Sequence, residues 1–315
     1  MTRVFVDGAA GTTGLEIRER LAGRRDVELL VLPEERRKDA SARRDALNDA
    51  DIVILCLPDD AAREAVSLIE NDETRVIDAS TAFRTDPSWT YGFPELEPDA
   101  RARVAGAKRI SNPGCYPTGF LALVRPLVRA GLLPADTRLS VNAVSGYSGG
   151  GKSLIARFED PSLSDATPTA FHAYGLSLGH KHVPEMQAHA GLGYPPIFLP
   201  SVARTYRGML VEVPIHLDQA GGRVAPLRDA LIEAYRDSAL VSVSHEQPAE
   251  LRIERQAGTD RLELFVFGSD DLGQVRLIAA LDNLGKGAAG AAVQSLNLVA
   301  GLPETEGLRL GRAPD

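Results

Sequence analysis

The chain opens with the stretch VFVDGAAGTTG at residues 4–14, an apolar segment that runs directly into a glycine-rich turn. Leu15, Ile17 and Leu21 follow at helical spacing, so the stretch predicts a strand, a tight turn and a helix. Glycines let a backbone approach a pyrophosphate, and a helix N-terminus offers N–H donors to it. The spacing G-x-x-G-x-x-G differs from G-x-G-x-x-G, and a plain tight turn is the alternative. The predicted cofactor contacts here are Gly8, Gly11, Thr12, Thr13 and Gly14.

Further apolar segments alternate with helical ones as far as residue 80. The continuous apolar run 52–57 is typical of a parallel strand that is buried on both faces. The alternation predicts the α/β class, with a doubly wound Rossmann-type nucleotide domain. Ligands of this fold lie beyond the carboxyl ends of the strands, which places Pro58 and Ser80 at the predicted cofactor site. Cys56 lies inside its strand and is predicted to belong to the core.

A cationic run, Arg36-Arg37-Lys38, follows the second predicted strand. A basic residue at this point accommodates the 2′-phosphate of NADP, because a guanidinium recognises phosphate well. We therefore expect NADP(H), with Arg36 and Lys38 as contacts. Glu34 and Glu35 precede the run, and a solvated charged face is the alternative.

Composition limits the remaining possibilities. The chain has 315 residues, 44% of them hydrophobic and 25% charged, which is typical of a globular protein of about two domains. A net charge of −8 argues against nucleic-acid binding, and no apolar run approaches the roughly 20 residues that cross a membrane. Because the sequence enters a strand at once rather than a signal peptide, we expect a cytoplasmic protein with two unpaired thiols.

The second of these thiols, Cys115, lies in SNPGCYPTG at residues 111–119. Pro113-Gly114 predicts a tight turn, and the apolar run to Val124 predicts a helix. A thiol at the start of a helix faces unpaired N–H groups and the positive end of the helix dipole, which favour the reactive thiolate. We predict that Cys115 is a nucleophile, with a small buried hydrophobe as the alternative.

His180 and His182 are the candidates for acid–base chemistry. On an extended segment, residues two apart face the same side. A metal site is not expected, because neither cysteine lies at ligand spacing from them. A thiol nucleophile needs an acid–base partner, so one of the two histidines is predicted to serve it, with Glu185 orienting the base.

The loop SGYSGGGKS at residues 145–153 contains the pattern G-x-x-x-x-G-K-S of a phosphate-binding loop. It lies far from the first glycine turn, so we expect an anion or oxyanion cradle for a substrate, with a flexible loop as the alternative. Arg207 is predicted to clamp a substrate carboxylate, although an exposed position is nearly as consistent with the sequence. The predicted substrate contacts are Arg84, Asn112, Ser145, Gly146 and Arg207.

The small-residue segment 282–294 predicts close packing and a return of the chain to the nucleotide domain. Asn283 and Gly287 in it are predicted cofactor contacts. The expected domains are 1–114 with 286–315 for the dinucleotide, and 115–285 as an α+β catalytic and oligomerisation domain.

Several of these segments together resemble the N-acetyl-gamma-glutamyl-phosphate reductase family, in its shorter form. The matching segments are residues 8–14, 78–84, 91–96, 111–118, 145–149, 180–185 and 283–288. The resemblance implies NADPH-dependent reduction of an N-acetylglutamyl phosphate to its semialdehyde in arginine biosynthesis, by a homo-oligomer (dimer or tetramer). It implies that Cys115 is the nucleophile and that the base is His180 or His182, with His180 favoured. Lys181 stands where the family often has arginine.

Three other functions fit parts of the sequence. The glycine turn is shared with aspartate-semialdehyde dehydrogenases, so a related acyl-phosphate reductase is one alternative. A nonenzymatic NADP-binding sensor would need the glycine turn and neither Cys115 nor the histidines. A nucleotide-hydrolysing protein would use residues 146–153.

Overall fold

The chain divides into two compact units in a computed structural model that describes residues 1–37 and 39–311. The first unit comprises Met1–Pro94, Pro98–Gly114 and Ala288–Leu308. The second comprises Glu95–Glu97, Cys115–Gly287 and the described residues from Arg309 onward.

The first unit is built on a six-stranded sheet of order β2-β1-β3-β4-β6-β5, in which every pair of neighbours is parallel. Helices connect consecutive strands, as the alternating pattern predicts, except between β4 and β5. The elements are β1 (Thr2–Asp7), α1 (Thr12–Leu21), β2 (Val27–Leu30), α2 (Ala40–Asp49), β3 (Ile52–Leu55), α3 (Asp59–Ser67), β4 (Arg75–Asp78), β5 (Thr90–Tyr91), α4 (Ala100–Gly106), β6 (Arg109–Ser111) and α9 (Gly290–Val299).

Apolar side chains cover both faces of this sheet. Ile17 of α1 and Leu296 of α9 pack with Ile54 and Ile77 on one face, while Leu47 of α2 and Ala62 of α3 belong to the core on the other. Burial on both faces accounts for the continuous apolar reading of β3. The predicted doubly wound arrangement is confirmed.

The second unit has a seven-stranded mixed sheet of order β11-β12-β13-β10-β7-β9-β8. Only the pairs β7–β9 and β11–β12 are parallel among its described strands. The elements are α5 (Cys115–Arg129), β7 (Ser140–Gly146), α6 (Gly151–Glu159), β8 (Phe171–Ala173), α7 (His182–Ala190), β9 (Ile197–Ala203), β10 (Met209–His216), α8 (Val224–Ala234), β11 (Val241–Val243), β12 (Leu262–Ser269) and β13 (Gln274–Leu281).

Helix α5 is the central helix of this unit. Its side chains from Tyr116 to Val124 are buried, and it packs on β10, β13, α7 and α8. Gly119 permits this approach, because a Cβ at that position would lie 2.8 Å from Cγ2 of Val211. The opposite face of the sheet carries exposed apolar residues, including Ile197 and Leu199. The α+β assignment of the second unit is confirmed.

Candidate active site

The candidate nucleophile is the first residue of the most buried helix of the second unit. Cys115 begins α5, two residues before Pro117, where the apolar run that predicts the helix starts. Its side chain is half-buried. The backbone of Gly287 packs against it, since a Cβ at position 287 would lie 2.9 Å from the Cβ of Cys115. The thiol therefore lies at a helix N-terminus, where N–H groups and the helix dipole favour an anion. Gly287, predicted as a cofactor contact, lies beside the candidate nucleophile.

The two histidines lie side by side, but not on an extended segment as predicted. His182 is the first residue of α7, and His180 lies in the turn before it, with ring centroids 4.7 Å apart. The backbone N–H of His182 donates to Nδ1 of His180 at 3.1 Å. Burial, and then the charge of Lys181, lower the pKa of His180, and Glu185 opposes them. Glu185 is buried in the first turn of the same helix.

Two tyrosines connect the cysteine with the histidines. The Tyr116 ring meets the His180 ring edge-on at 6.5 Å, and the Tyr174 hydroxyl donates to the Tyr116 hydroxyl at 3.3 Å. Burial, with the nearby Cys115 adding to it, raises the pKa of Tyr174 to about 12. Cys115, His180 and both tyrosines therefore form one cluster in the second unit. Sequence reasoning missed both tyrosines, although Tyr116 adjoins the cysteine.

In the loop after β7, three of the N–H groups that an anion cradle could use already have partners within the fold. The N–H groups of Gly146, Tyr147 and Ser148 donate to backbone carbonyls of residues 205–208. These donors are committed to the fold, so they are not available to a substrate. Ser145 is buried beside them, and Lys152 is exposed on α6.

A turn at residues 282–285 holds this loop in place. Asn283, predicted as a cofactor contact, donates through Nδ2 to the Ser148 hydroxyl at 2.8 Å. The buried carboxylate of Asp282 accepts from the backbone N–H of Leu284 at 2.7 Å and lies 3.4 Å from Nη1 of Arg207. Arg207 is therefore held by an internal carboxylate. The sequence offered no signal for Asp282.

The glycine turn of the first unit forms a compact cradle at the start of α1. Gly8 has a φ of +83°, and a Cβ there would lie 2.2 Å from the Cys56 carbonyl oxygen. Helix α1 begins at Thr12, and its N-cap residue is Gly11, which has no side chain to accept from the first N–H groups. Oγ1 of Thr12 is buried without a hydrogen-bond partner. A Cβ on Gly14 would lie 2.6 Å from the Gly8 carbonyl oxygen. The uncapped N–H groups can donate to the pyrophosphate of a dinucleotide, and the glycines, which lack side chains, leave room for it.

A cavity of about 740 Å³ adjoins this turn within the first unit. Its cationic lining is Arg18, Arg37 and Arg43, of which Arg43 donates to the Asp7 carboxylate at 2.8 Å. Arg36, the predicted contact, is exposed and is not among the described residues that line the cavity. Lys38 lies outside the described residues.

Polar side chains collect at the carboxyl ends of β3, β4 and β6. The N-cap of α3 is Pro58, and the Ser80 hydroxyl donates to Oδ2 of Asp78 at 2.6 Å. Asn112 donates through Nδ2 to the Ala288 carbonyl at 3.0 Å, while its Oδ1 and Oδ1 of Asp78 are buried without a hydrogen-bond partner. Such buried acceptors fit a polar ligand.

Arg84 and Asp78 both follow or end β4 at this edge of the sheet. Arg84 is buried and donates to the Ala79 carbonyl at 3.1 Å. Burial raises the pKa of Asp78 to about 6. The predicted substrate contacts are therefore divided, with Arg84 and Asn112 in the first unit and Ser145, Gly146 and Arg207 in the second.

Residues 1–37 and 39–311 contain no group of three or more His, Cys, Asp or Glu side chains arranged to hold a metal ion. Within the same ranges, no helix has the length and apolar character to cross a membrane.

Both units match family models of semialdehyde dehydrogenases. Residues 3–104 match the family model of the semialdehyde dehydrogenase NAD binding domain, and residues 115–283 match that of the semialdehyde dehydrogenase dimerisation domain. Solved aspartate semialdehyde dehydrogenases share this fold. One from Vibrio cholerae superposes with a TM-score of 0.71 at 19% identity, covering 95% of this chain and 98% of its own. One from Francisella tularensis gives 0.72 at 15%, covering 95% and 100%.

Closer relatives narrow the class to a family. The chain is 54% identical over 306 residues to N-acetyl-gamma-glutamyl-phosphate reductases of Brucella ovis and Brucella melitensis, covering 95% of this chain and 99% of each relative. The chain belongs to the N-acetyl-gamma-glutamyl-phosphate reductase family. It is accordingly an oxidoreductase, as the resemblance of its motifs predicts.

Proposed function

We propose that this chain reduces N-acetyl-L-glutamyl 5-phosphate to N-acetyl-L-glutamate 5-semialdehyde with NADPH, as a step of arginine biosynthesis. The observation that carries the proposal is the position of Cys115 at the start of α5, in one cluster with His180, Tyr116 and Tyr174. Family membership supplies the substrate. The reaction needs a reduced thiol, and Cys56 and Cys115 are thiols rather than disulfide partners, so we assign the protein to the cytoplasm.

The chemistry begins at Sγ of Cys115. The thiolate attacks the acyl carbon, the carbon–oxygen bond to phosphate breaks, and the departing phosphate takes one proton from solvent. A thioester remains on the cysteine. When bound, NADPH supplies the hydride that reduces this thioester carbon. The resulting thiohemiacetal oxyanion re-forms its carbonyl as the carbon–sulfur bond breaks, which releases the aldehyde and restores the thiolate.

His180 is the better of the two histidines for this scheme, as a hydrogen-bond donor. A ring nitrogen that accepts a backbone hydrogen bond carries no proton, and Nδ1 of His180 accepts from His182. The proton of the neutral ring is therefore assigned to Nε2. The lowered pKa of His180 keeps the ring neutral near pH 7. We assign Nε2–H to the substrate oxygen that becomes the oxyanion, with the His182 backbone orienting the ring and Glu185 offsetting the charge of Lys181.

NADP(H) is assigned to the first unit. Gly8, Gly11 and Gly14 leave room for the pyrophosphate, and the start of α1 offers N–H donors to it. Of the cations beside the cavity, we assign Arg37 to the 2′-phosphate, since it follows β2, where this fold contacts the ribose of the cofactor. Pro58 and Ser80 lie at the strand ends where this fold binds its cofactor. The domain division at 1–114 with 286–315 and 115–285 is retained as part of this proposal.

For the substrate, we assign the carboxylate to Arg207. Its guanidinium is partly exposed and is held in place by buried Asp282, which favours a fixed, directional contact. Arg84 and Asn112 of the first unit, and Ser145 of the second, remain assigned to substrate on their positions in the family motifs.

A second copy of the chain is assigned to the open face of the second sheet. Phe171, Ile197 and Leu199 are 55%, 55% and 46% exposed there. Adjacent exposed apolar side chains are typical of interaction surfaces, and residues 115–283 match a dimerisation domain. We therefore propose a homodimer through this face, on which a tetramer can build.

The direct test is a spectrophotometric assay in the reverse direction. Purified protein is given N-acetylglutamate semialdehyde, phosphate and NADP, and absorbance at the NADPH band is followed; phosphate-dependent reduction of NADP is expected. Aspartate semialdehyde serves as the control substrate, and we expect at least about a hundredfold lower kcat/KM for it, because it is one methylene shorter and lacks the acetyl group. Preference for aspartate semialdehyde, or no phosphate dependence, would refute the proposal.

A further inference from the structure

A buried ion pair in the second unit has no part in the chemistry above. Nζ of Lys286 lies 2.9 Å and 2.8 Å from the two carboxylate oxygens of Glu95. The side chains are only 1% and 2% exposed. Removing two opposite charges from water is costly, and a buried pair usually does no more for stability than apolar side chains of similar volume. Stability alone therefore does not account for this ion pair.

The lysine side of the pair reaches the nucleophile through one residue. Lys286 belongs to the turn Gly285–Ala289, and its neighbour Gly287 packs against Cys115. A Cβ at 287 would lie 2.9 Å from the Cβ of Cys115 and 3.3 Å from its Cα. Any rotation of this turn therefore moves backbone atoms against the cysteine.

The glutamate side of the pair is fastened to the helix that carries the nucleophile. Glu95 is followed by Leu96, whose carbonyl accepts from Nη1 of Arg129 at 2.7 Å. The carboxylate of Glu97 pairs with Arg125 and, at 3.0 Å, with Arg129. Both arginines lie on α5, which begins at Cys115. The pair thus closes a ring of contacts from the last turns of α5, through residues 95–97 and Lys286, back to the first residue of α5.

We propose that Glu95 and Lys286 are positioning residues for Cys115. They hold the 285–289 turn against the cysteine, so that its sulfur stays at the helix N-terminus in the orientation that stabilises the thiolate. The inference rests on Cys115 being the nucleophile of the proposed function, but it concerns residues that do not touch the reacting atoms.

The test replaces the pair with apolar residues of similar size, Glu95→Leu together with Lys286→Met. This removes the directional contact without leaving one charge buried alone, and it leaves the net charge unchanged. The readout is the rate of Cys115 alkylation by iodoacetamide as a function of pH, located by mass spectrometry and measured without substrate or cofactor. We expect the midpoint to rise by about one pH unit, and kcat to fall at least about tenfold with little change in KM for NADP.

The control is a second ion pair of the same unit, in which Arg255 donates to both carboxylate oxygens of Glu263 at 2.9 Å. Arg255→Met with Glu263→Leu is expected to leave the alkylation profile unchanged. A folded Glu95/Lys286 double variant with the wild-type profile and kcat would overturn the inference. If that variant does not fold, Glu95→Gln together with Lys286→Met decides, since it removes the contact, keeps the size of both side chains and leaves no charge buried alone; a wild-type alkylation profile in it would overturn the inference equally. Because alkylation needs no substrate, either result is independent of the reductase assay.

Discussion

Asn283 accepts a hydrogen bond through Oδ1 from the backbone N–H of Gly208 at 3.0 Å. Its Nδ2 donates to the Ser148 hydroxyl, so one buried amide ties the turn at 282–285 to two other segments of the second unit. The donors and acceptors of a buried amide cannot turn to water when a partner is lost. This side chain therefore adds to the backbone hydrogen bonds that fix the loop after β7.

Replacing Asn283 with leucine, which has a similar volume, is expected to destabilise the second unit. The Gly208 N–H and the Ser148 hydroxyl would each lose a buried partner, at a cost of roughly 1–3 kcal/mol for each unsatisfied group. The measurement is the thermal unfolding midpoint, with exposed Leu272→Asn as a control that should not change it. An unchanged midpoint for the Asn283 variant would show that the amide does not hold the loop.

Cys115→Ser is expected to abolish turnover while NADP(H) binding is retained. A hydroxyl at this position is a far weaker nucleophile and leaving group, so kcat should fall more than about a thousandfold. Titration of NADPH fluorescence measures the binding. Cys56→Ser is the matched control and should keep its activity, because burial raises the pKa of the Cys56 thiol to about 12 and makes it unreactive. Near-normal turnover of the Cys115 variant would end the proposed mechanism.

His180→Gln should be much more active than His180→Ala. A glutamine amide can offer an N–H near the position of Nε2, whereas it cannot act as a base. We expect the glutamine variant to stay within about tenfold of wild-type kcat and the alanine variant to lose about 10²–10³-fold, as for removal of an oxyanion donor. Nitrogen chemical shifts of His180 should report the Nε2–H form at pH 7. Equal losses in both variants would mean that His180 works as a base.

Asp78→Asn should remove a stability change between about pH 4 and pH 6. The ordinary pKa of 3.8 rises to about 6 in the folded chain through burial, so the native state binds this proton more tightly than the unfolded state. Stability is therefore higher below the unfolded pKa and falls as pH rises through 6, by an amount on the order of 3 kcal/mol. The asparagine variant should have the higher thermal midpoint at pH 8. Asp271→Asn, on an exposed turn, is the control, and a wild-type pH profile for the Asp78 variant would contradict the expectation.

Leu199→Asp should shift the protein from dimer to monomer in sedimentation velocity. A carboxylate on the open sheet face would be buried without a partner in the proposed interface, where a stable dimer needs about 800 Å² of complementary surface from each subunit. Leu272→Asp is the control, since Leu272 is 73% exposed on the hairpin between β12 and β13. A dimer that survives the Leu199 substitution would place the interface elsewhere.

Local patterns were sufficient for the main elements of the first unit and for the position of Cys115, the proposed nucleophile, at the start of a helix. The glycine turn at 8–14, the apolar run of β3 and the apolar run that follows Cys115 each act over a few residues, where spacing alone dictates backbone conformation. The closeness of the two histidines was predicted for the same reason, although the extended backbone predicted for them was wrong. His182 begins a helix, and the turn before α7 brings the two rings together. The tight turn predicted at Pro113-Gly114 is absent, since residues 112–114 connect β6 to α5 without one.

Contacts between distant residues were decided by the tertiary structure alone. Lys286 meets Glu95 across 191 residues, and Asn283 meets Ser148 across 135. The sequence around one partner does not predict the other, because such pairs depend on which segments the fold brings together. The same holds for the cations beside the glycine turn, where the fold brings Arg43 to Asp7 and leaves Arg36 in solvent. Short-range sterics and hydrophobic periodicity are written into consecutive residues, whereas buried polar pairing exists only once the chain has folded around it.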